Sequence, residues 1–288
     1  MNNKQTSPRL KKKISIGHII ATIVVIFGSI TMLFPFLWMI SASFKTNTEC
    51  YSATLNFFPK KIILDSYKEI LTDKSFYTSI GYTMIIEVSV IVVGTLVSSL
   101  AAFAFSKLKM KFRKTLLLLL MSSMMVPYAA IMLPQYRAFL SLNMVETLWP
   151  LILPGLFGNV SMMFFLITYM KDGISDSIIE SAKIDGASYL KMWWGIALPL
   201  AKPAIVAQGI FWLVGIWNDF FGPSIYLTNP NVQTLQIYIT SLNASNDGTN
   251  FPAIMTGAFL ASLPMIIIFL CFQDLFINSI ALTGQKEG

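Results

Sequence analysis

Four residues of this chain have the types and surroundings of a polar binding site within apolar sequence. Glu87 lies in the stretch MIIEVSV, and Asp219 lies in WNDFF beside Trp217 and Asn218. An unpaired charge in such surroundings costs several kcal/mol, so these residues are functional candidates. Aromatic rings with amide or carboxylate acceptors suit a ligand that offers many hydroxyls and apolar C–H faces. The alternative is structural, with Glu87 as a polar contact between helices and Asp219 as a hydrogen-bonding node that shapes its helix.

The sequence lacks the residues that catalysis or metal binding would need. His18 is the single histidine, and the two cysteines, Cys50 and Cys271, form no CxxC or Cys/His cluster. We therefore expect no catalytic, metal or cofactor-binding residues, and an intramembrane enzyme is a weak interpretation. No GxxxxGKS or GxxxxGKT segment occurs, so the chain is not expected to bind ATP. The interpretation as a secondary transporter is also poorly supported, because the sequence shows no internal repeat of three-span units.

The composition indicates a membrane protein. Of the 288 residues, 55% are hydrophobic and 12% are charged, and the mean hydropathy is +0.66. Soluble domains carry about 25% charged residues. Because a spanning helix needs about 20 apolar residues, the charge-poor intervals predict an all-α membrane protein with six transmembrane helices. Their expected ranges are 16–41, 79–105, 114–135, 147–170, 203–227 and 254–276. The first is too long for a signal-peptide core, so we expect it to be retained.

The distribution of basic residues predicts which segments face the cytoplasm. Fifteen of the 21 Lys and Arg residues lie on one side of the predicted spans and six on the other. By the positive-inside rule, the loop SKLKMKFRK, the segment 171–202 and both tails, 1–15 and 278–288, are cytoplasmic, and 16–277 is the transmembrane domain. The net charge of +7 could indicate nucleic acid. We expect none, because the basic residues lie beside the spans.

The segment 171–202, called here the coupling segment, predicts a helix–turn–helix. Ser175 or Asp176 suits the start of the first helix, and the pair Asp185-Gly186 suits a sharp turn. Apolar positions at helical spacing define one face of each helix: Ile178, Ile179 and Ala182 in the first, and Leu190, Trp193, Trp194 and Ala197 in the second. Pro199 and Pro203 are expected to stop or kink the second helix before the next span.

Composition alone leaves two interpretations of this segment open. It could be an interfacial hairpin with its tryptophans at headgroup level, or a surface that binds another protein. Its residues resemble the EAA motif of ABC importer permeases, with matches at Glu180, Ala182, Asp185, Gly186, Ala187, Ile196, Leu198 and Pro199. Ser181 departs from the usual alanine but is also small. The resemblance implies a coupling helix that lies in a cleft of an ATP-binding subunit. The docking residues would be Glu180, Ser181, Ala182, Asp185, Gly186 and Ala187.

The resemblance extends from about residue 14 to the end of the chain. The stretch 132–166, the segment WNDFFGPSIYL at 217–227 and the last span are similar to the six-span inner-membrane subunit of maltose-transporter-type importers. One departure is LITYM at 166–170, where that family often has an arginine. External loops such as 241–251 would contact a solute-binding protein.

The resemblance implies a cell-membrane permease subunit for a sugar or oligosaccharide that works by alternating access. Its partners would be a second permease subunit in a heterodimer, a cytoplasmic ATPase dimer, an extracellular or periplasmic solute-binding protein, the sugar and membrane lipid. The candidate substrate pathway is Glu87, Trp217, Asn218 and Asp219. The alternative is an ABC permease for a non-sugar solute such as a polyol or glycerophosphate.

Overall fold

The computed structural model describes residues 16–52, 54, 56–244 and 249–284, without the side chains of residues 18, 244 and 274–284. All regular secondary structure in these residues is helical, as the sequence predicts. The α-helices are α1 Ile16–Ser43, α2 Asn47–Cys50, α3 Asp65–Thr72, α4 Lys74–Lys107, α5 Arg113–Ser123, α6 Tyr128–Ser141, α7 Trp149–Leu156, α8 Val160–Gly173, α9 Asp176–Ile184, α10 Tyr189–Met192, α11 Leu198–Trp217, α12 Phe221–Tyr226, α13 Leu235–Ser241 and α14 Phe251–Gly284. The predicted N-terminal tail, 1–15, lies outside the described residues.

Five stretches of the described chain are helical, long and apolar enough to cross a membrane. They are Ile19–Ser43, Lys74–Lys107, Trp149–Gly173, Tyr189–Trp217 and Phe251–Gln273. A sixth crossing is available if α5 and α6 together form one span. The structure is therefore an all-α membrane protein, with helix ends that differ from the predicted ones. In particular, α14 continues to Gly284, into the predicted C-terminal tail.

The prediction of one helix over 114–135 is wrong. The chain forms α5 and α6, which are bent by 90° at the residues between them. Pro127 causes the break, because it lacks an N–H and disfavours helical backbone at Val126. The amides of Met124, Met125 and Val126 instead donate to carbonyls three residues earlier, at 3.1 to 3.3 Å. The second helix then runs to Ser141, into the predicted external loop.

The span of α7 and α8 contains a break with its own capping group. Gly158 has a φ of +97°, a left-handed conformation that favours glycine. The Asn159 side chain accepts a hydrogen bond from the Met162 amide at 2.9 Å and caps α8. The Asn159 amide donates at 2.8 Å to the Ser98 hydroxyl of α4. The break is therefore held by side chains that satisfy the freed backbone groups.

Of the stop or kink expected at Pro199 and Pro203 before the fifth span, the stop is absent. The helix runs without interruption from Tyr189 to Trp217, through a π-helical turn at Trp193–Ala197. A π turn bonds each amide to the carbonyl five residues earlier, and Leu198 N–H donates to Trp193 O in this way. This shift lets the helix pass Pro199 and Pro203 with local adjustment of its hydrogen bonds. The second helix of the coupling segment is thus the first part of a transmembrane helix.

The central helix is α4, which packs against α7, α8, α11 and α13, whereas α1 packs along α14. Small residues allow the closest approach. A Cβ atom added to Gly94 would lie 2.4 Å from the carbonyl oxygen of Gly155 and 2.5 Å from the ring of Trp212. Three helices therefore meet at a position where only a hydrogen atom fits, which is a common device in membrane helix packing.

We expect Gly94→Ala to lower the free energy of unfolding by about 1–3 kcal/mol, because the methyl group must displace backbone and a tryptophan ring. The matched control is Gly81→Ala in the same helix, where the added Cβ has no atom within 4 Å. That variant should show no loss of stability. SDS titration of the purified proteins in mild detergent measures both, and equal curves for the two variants would contradict the packing account.

Glu146 joins two loops at one end of the bundle. Its amide donates to the carbonyl of Tyr226 at 3.0 Å. Its carboxylate accepts from the amides of Thr228 and Asn229, at 3.0 and 2.9 Å, and from the Thr228 hydroxyl. These hydrogen bonds, led by that of the Thr228 hydroxyl, lower the pKa of Glu146 below its usual 4.5.

Because the folded pKa is lowered, the Glu146 carboxylate stabilises this contact above pH 4.5 and loses that effect as the pH falls through the folded value. We expect amides 228 and 229 to lose protection from hydrogen exchange over that acidic range. Glu146→Gln should lose it several-fold already at neutral pH. Mass-spectrometric exchange of the purified protein checks this, and protection that is the same in both proteins at every pH would refute it.

Candidate functional site

The first helix of the coupling segment, α9, has a defined cap at each end. The Ser175 hydroxyl accepts from the Ser177 amide at its start. At its end, the Gly186 amide donates to Lys183 O at 3.1 Å and the Ala187 amide donates to Ala182 O at 2.9 Å. This hydrogen-bond pair is the Schellman motif, which requires a left-handed residue.

Gly186 supplies that left-handed residue, with a φ of +78°. An added Cβ at Gly186 would meet no atom within 4 Å. The glycine is therefore needed for its backbone conformation and not for space. The turn predicted at Asp185-Gly186 is present.

The predicted docking residues divide between two faces of this helix–turn unit. Glu180, Ser181, Asp185 and Gly186 are exposed. Ala182 and Ala187 are partly buried and pack against a core cluster of α4, α8 and α11. The structure thus turns the two alanines toward the membrane bundle and leaves the polar residues on the outer surface.

The predicted apolar face of α9 is narrower than expected. Ile179 is 7% exposed and anchors the helix, whereas Ile178, which the sequence pattern places on the same face, is 44% exposed. The helix contacts the bundle along one narrow line. Because consecutive positions of a helix are rotated by about 100° from each other, the residue next to Ile179 points away from this contact. Ile184, at 86% exposed, is an apolar residue on the outer surface that the sequence pattern did not single out.

The predicted stripe on the second helix is also divided. Trp193 and Ala197 are buried, whereas Leu190 and Trp194 are more than 60% exposed. The π-helical turn changes the angular spacing, and Met192, 1% exposed, enters the core instead. The two indole rings contact each other edge to face, with centroids 5.6 Å apart.

Lys107, which the sequence indicated only as a sidedness signal, contacts the start of α9. Its ammonium forms a salt bridge of 2.7 Å with Asp176, and the side chain of Lys107 is 2% exposed. This hydrogen bond and the positive charge lower the pKa of Asp176. The pairing joins residues far apart in sequence, so no local pattern could have revealed it.

The candidate pathway residues of the fifth span make local structural contacts. Trp217 is 2% exposed, and its indole N–H donates to the carbonyl of Ala261 in α14 at 3.0 Å. The exposed Asn218 donates to Val214 O at 2.8 Å and ends α11. Asp219 accepts from the Gly222 amide at 3.1 Å at the start of α12. These contacts are those of a node that shapes the chain, and they leave the polar edges of Asn218 and Asp219 accessible.

Glu87 lies in the core near this node. It is 4% exposed, and its Oε1 has no hydrogen-bond partner among the described residues. One helical turn earlier, the Thr83 hydroxyl accepts from the Leu235 amide at 3.0 Å. Thr83, Asp219 and Thr234 line a cavity of about 60 Å³. Glu87 is not among the residues that line this cavity. The cavity has room for water molecules but not for a sugar, since ligand pockets measure about 300–1,000 Å³.

Comparison with known proteins decides the family. Residues 94–281 match the model of the binding-protein-dependent transport system inner membrane component. This chain belongs to that family. The matched region contains the whole coupling segment and the 217–219 node, whereas Glu87 lies before it.

Relatives match this permease over nearly its whole length. The arabinooligosaccharides transport system permease protein AraQ of Halalkalibacterium halodurans is 29% identical over 286 residues, which cover 98% of this chain and 99% of AraQ. Protein LplC of Bacillus subtilis is 32% identical over 274 residues, or 91% of each chain. A chain in the crystal structure of a bacterial ABC transporter that imports the acidic polysaccharide alginate shares the fold, with a TM-score of 0.80, 22% identity and coverage of 93% and 99%.

Family membership makes this protein a multi-pass integral membrane permease and not an enzyme, in agreement with the sequence prediction. Among the described residues, no group of three or more His, Cys, Asp or Glu side chains could hold a metal ion. The assignment to ABC importer permeases, predicted from the EAA motif, is confirmed.

Proposed function

We propose that this chain is one of two permease subunits in an ATP-driven importer of a sugar or oligosaccharide. The observation that carries the proposal is that α9 is exposed and capped at both ends, and that it lies within the region that matches the permease family. The functions of the relatives, arabinooligosaccharide transport and alginate import, favour a carbohydrate over a polyol or glycerophosphate. The family description also favours a solute-binding protein as partner.

The ATPase subunit would bind the outer surface of α9. Glu180, Ser181 and Asp185 are exposed there, next to the apolar side chain of Ile184. An apolar anchor surrounded by polar and acidic groups suits a cleft with a hydrophobic floor and a basic residue at its edge. The coupling segment, the Lys-rich loop 107–114 and both chain ends would face the cytoplasm.

We expect Glu180→Lys to reduce co-purification of the cognate ATPase subunit, because the charge reversal places like charges together at the contact. The control is Glu69→Lys, the same charge reversal on exposed α3, which the proposed topology places on the opposite side of the membrane. Pull-down from membranes that contain equal amounts of each permease measures the effect. Full ATPase recovery with Glu180→Lys would refute this role for Glu180.

The solute pathway would be completed by the second permease subunit. The cavity next to Asp219 measures only about 60 Å³. Asn218 and Asp219 are exposed, and so are the aromatic side chains of Phe220 and Phe221. Carboxylate and amide acceptors beside aromatic rings are the groups that a sugar needs, and here they lie on a surface that a second chain can cover. Alternating access would then open this shared site to one side of the membrane at a time.

Glu87 would act at the buried edge of this pathway. A buried carboxylate oxygen without a partner is costly, so a polar group that reaches it during transport would be strongly bound. We expect Glu87→Gln, which keeps the shape and removes the charge, to lower solute uptake per inserted permease while ATPase recovery stays at the wild-type level. The control is Glu69→Gln, an exposed position. Uptake equal to wild type at all solute concentrations would leave Glu87 a packing role only.

A further inference from the structure

Three acceptors converge on the ammonium group of Lys107. Its Nζ donates to the carbonyl of Ile174 at 2.5 Å, to that of Lys171 at 3.3 Å and to Asp176 Oδ1 at 2.7 Å. An ammonium has three protons to donate, so these contacts use its full capacity. The side chain is 2% exposed although Lys107 is the last residue of α4. The Asp176 side chain is 82% exposed, so the ammonium is enclosed on the side of the two carbonyls and meets Asp176 at the protein surface.

The acceptors belong to elements that meet at the coupling segment. Lys171 lies in the last turn of α8, and Ile174 is the residue that ends it. Asp176 lies in the first turn of α9. A cation is favourable at a helix C-terminus, and an acid is favourable at a helix N-terminus. One ammonium therefore joins the end of α4, the end of α8 and the start of α9.

We propose that Lys107 is a positioning residue that makes α9 move together with α4 and α8 when the ATPase displaces it; this rests on the proposed docking of α9. The linker between α8 and α9 consists of Ile174 and Ser175. Ile174 is 2% exposed in the same core cluster as Ile179. The linker is thus fixed by packing on one side and by the Lys107 ammonium on the other. Without the ammonium, the start of α9 would be held only by the packing of Ile174 and Ile179, and its displacement would be transmitted less completely to α4 and α8.

A role in membrane orientation alone does not explain this geometry. Lys109 and Lys111 of the same loop are exposed, as positive-inside residues need only be near the membrane surface. Lys107 differs from both because its side chain is enclosed and its ammonium has three acceptors. Lys107 and its neighbours Lys109, Lys111 and Arg113 line an open cleft of about 630 Å³, together with Asp176 and Glu180. Several basic residues of this loop can therefore determine the membrane orientation, whereas Lys107 makes the contact with α9.

The test measures the ratio of solute transported to ATP hydrolysed by the complete importer in proteoliposomes. In Lys107→Met, which keeps the chain length and removes the charge, the ATPase should co-purify at the wild-type level while the ratio falls about tenfold. The matched control is Lys109→Met, which should keep the wild-type ratio. A merely structural defect would lower the amount of inserted protein and leave the ratio unchanged.

A second pair of variants reaches the same contact from its exposed partner, so that the test does not depend on the buried site. Asp176→Lys places a like charge beside Lys107, whereas Ser177→Lys introduces a lysine one residue further along α9 and leaves the Asp176 carboxylate in place. Only Asp176→Lys should lower the ratio. Ratios equal to those of the matched controls for Lys107→Met and Asp176→Lys would overturn the inference alone. Failure of the ATPase to co-purify with the wild-type chain would overturn the proposed docking as well.

Discussion

Each backbone amide and carbonyl within the bilayer must find a partner in the protein, and this constraint governs the fold. The helices of this permease break or change type at several points, and the chain supplies local partners at each. Asn159 caps the restart of α8, and Asp219 accepts from an amide at the start of α12. The π-helical turn at Trp193–Ala197 carries the fifth span past two prolines. The irregular segments are thus built features, and the candidate pathway node is one of them.

The same constraint determines how the coupling segment is attached. Because the helix that begins at Tyr189 continues through the π turn to Trp217, no break separates the second helix of the coupling segment from the fifth span. On its other side, α9 is separated from α8 by two residues, of which Ile174 is buried. The coupling segment is therefore held at both ends by spans. A force applied to its exposed surface reaches the membrane bundle through packed side chains.

Local sequence signals predicted the features that depend on neighbouring residues. Charge-poor intervals located the spans, and Asp185-Gly186 located the left-handed turn, since few residues other than glycine adopt a φ of +78°. The errors arose where the backbone departs from a regular period. Pro127 broke a predicted helix, and the π turn divided the Trp193–Trp194 stripe, because an apolar pattern assumes 3.6 residues per turn. The contacts of Lys107 and Glu146 join segments that are distant in sequence, and such pairs cannot be identified from the local pattern of a single sequence.

This difference between local and distant signals separates the two halves of the proposed coupling mechanism. The proposed docking surface is a local motif of small and acidic residues on α9, so a partner would recognise it from one short segment. Transmission requires that α9 be fixed to helices remote in sequence, and that task falls to buried groups such as Ile179 and the Lys107 ammonium. In this proposal, a substitution on the exposed face would weaken ATPase binding, whereas a substitution at the buried contact would leave binding intact and uncouple ATP hydrolysis from transport. The proposed mechanism therefore assigns affinity for the ATPase to the exposed face of α9 and coupling to its buried face.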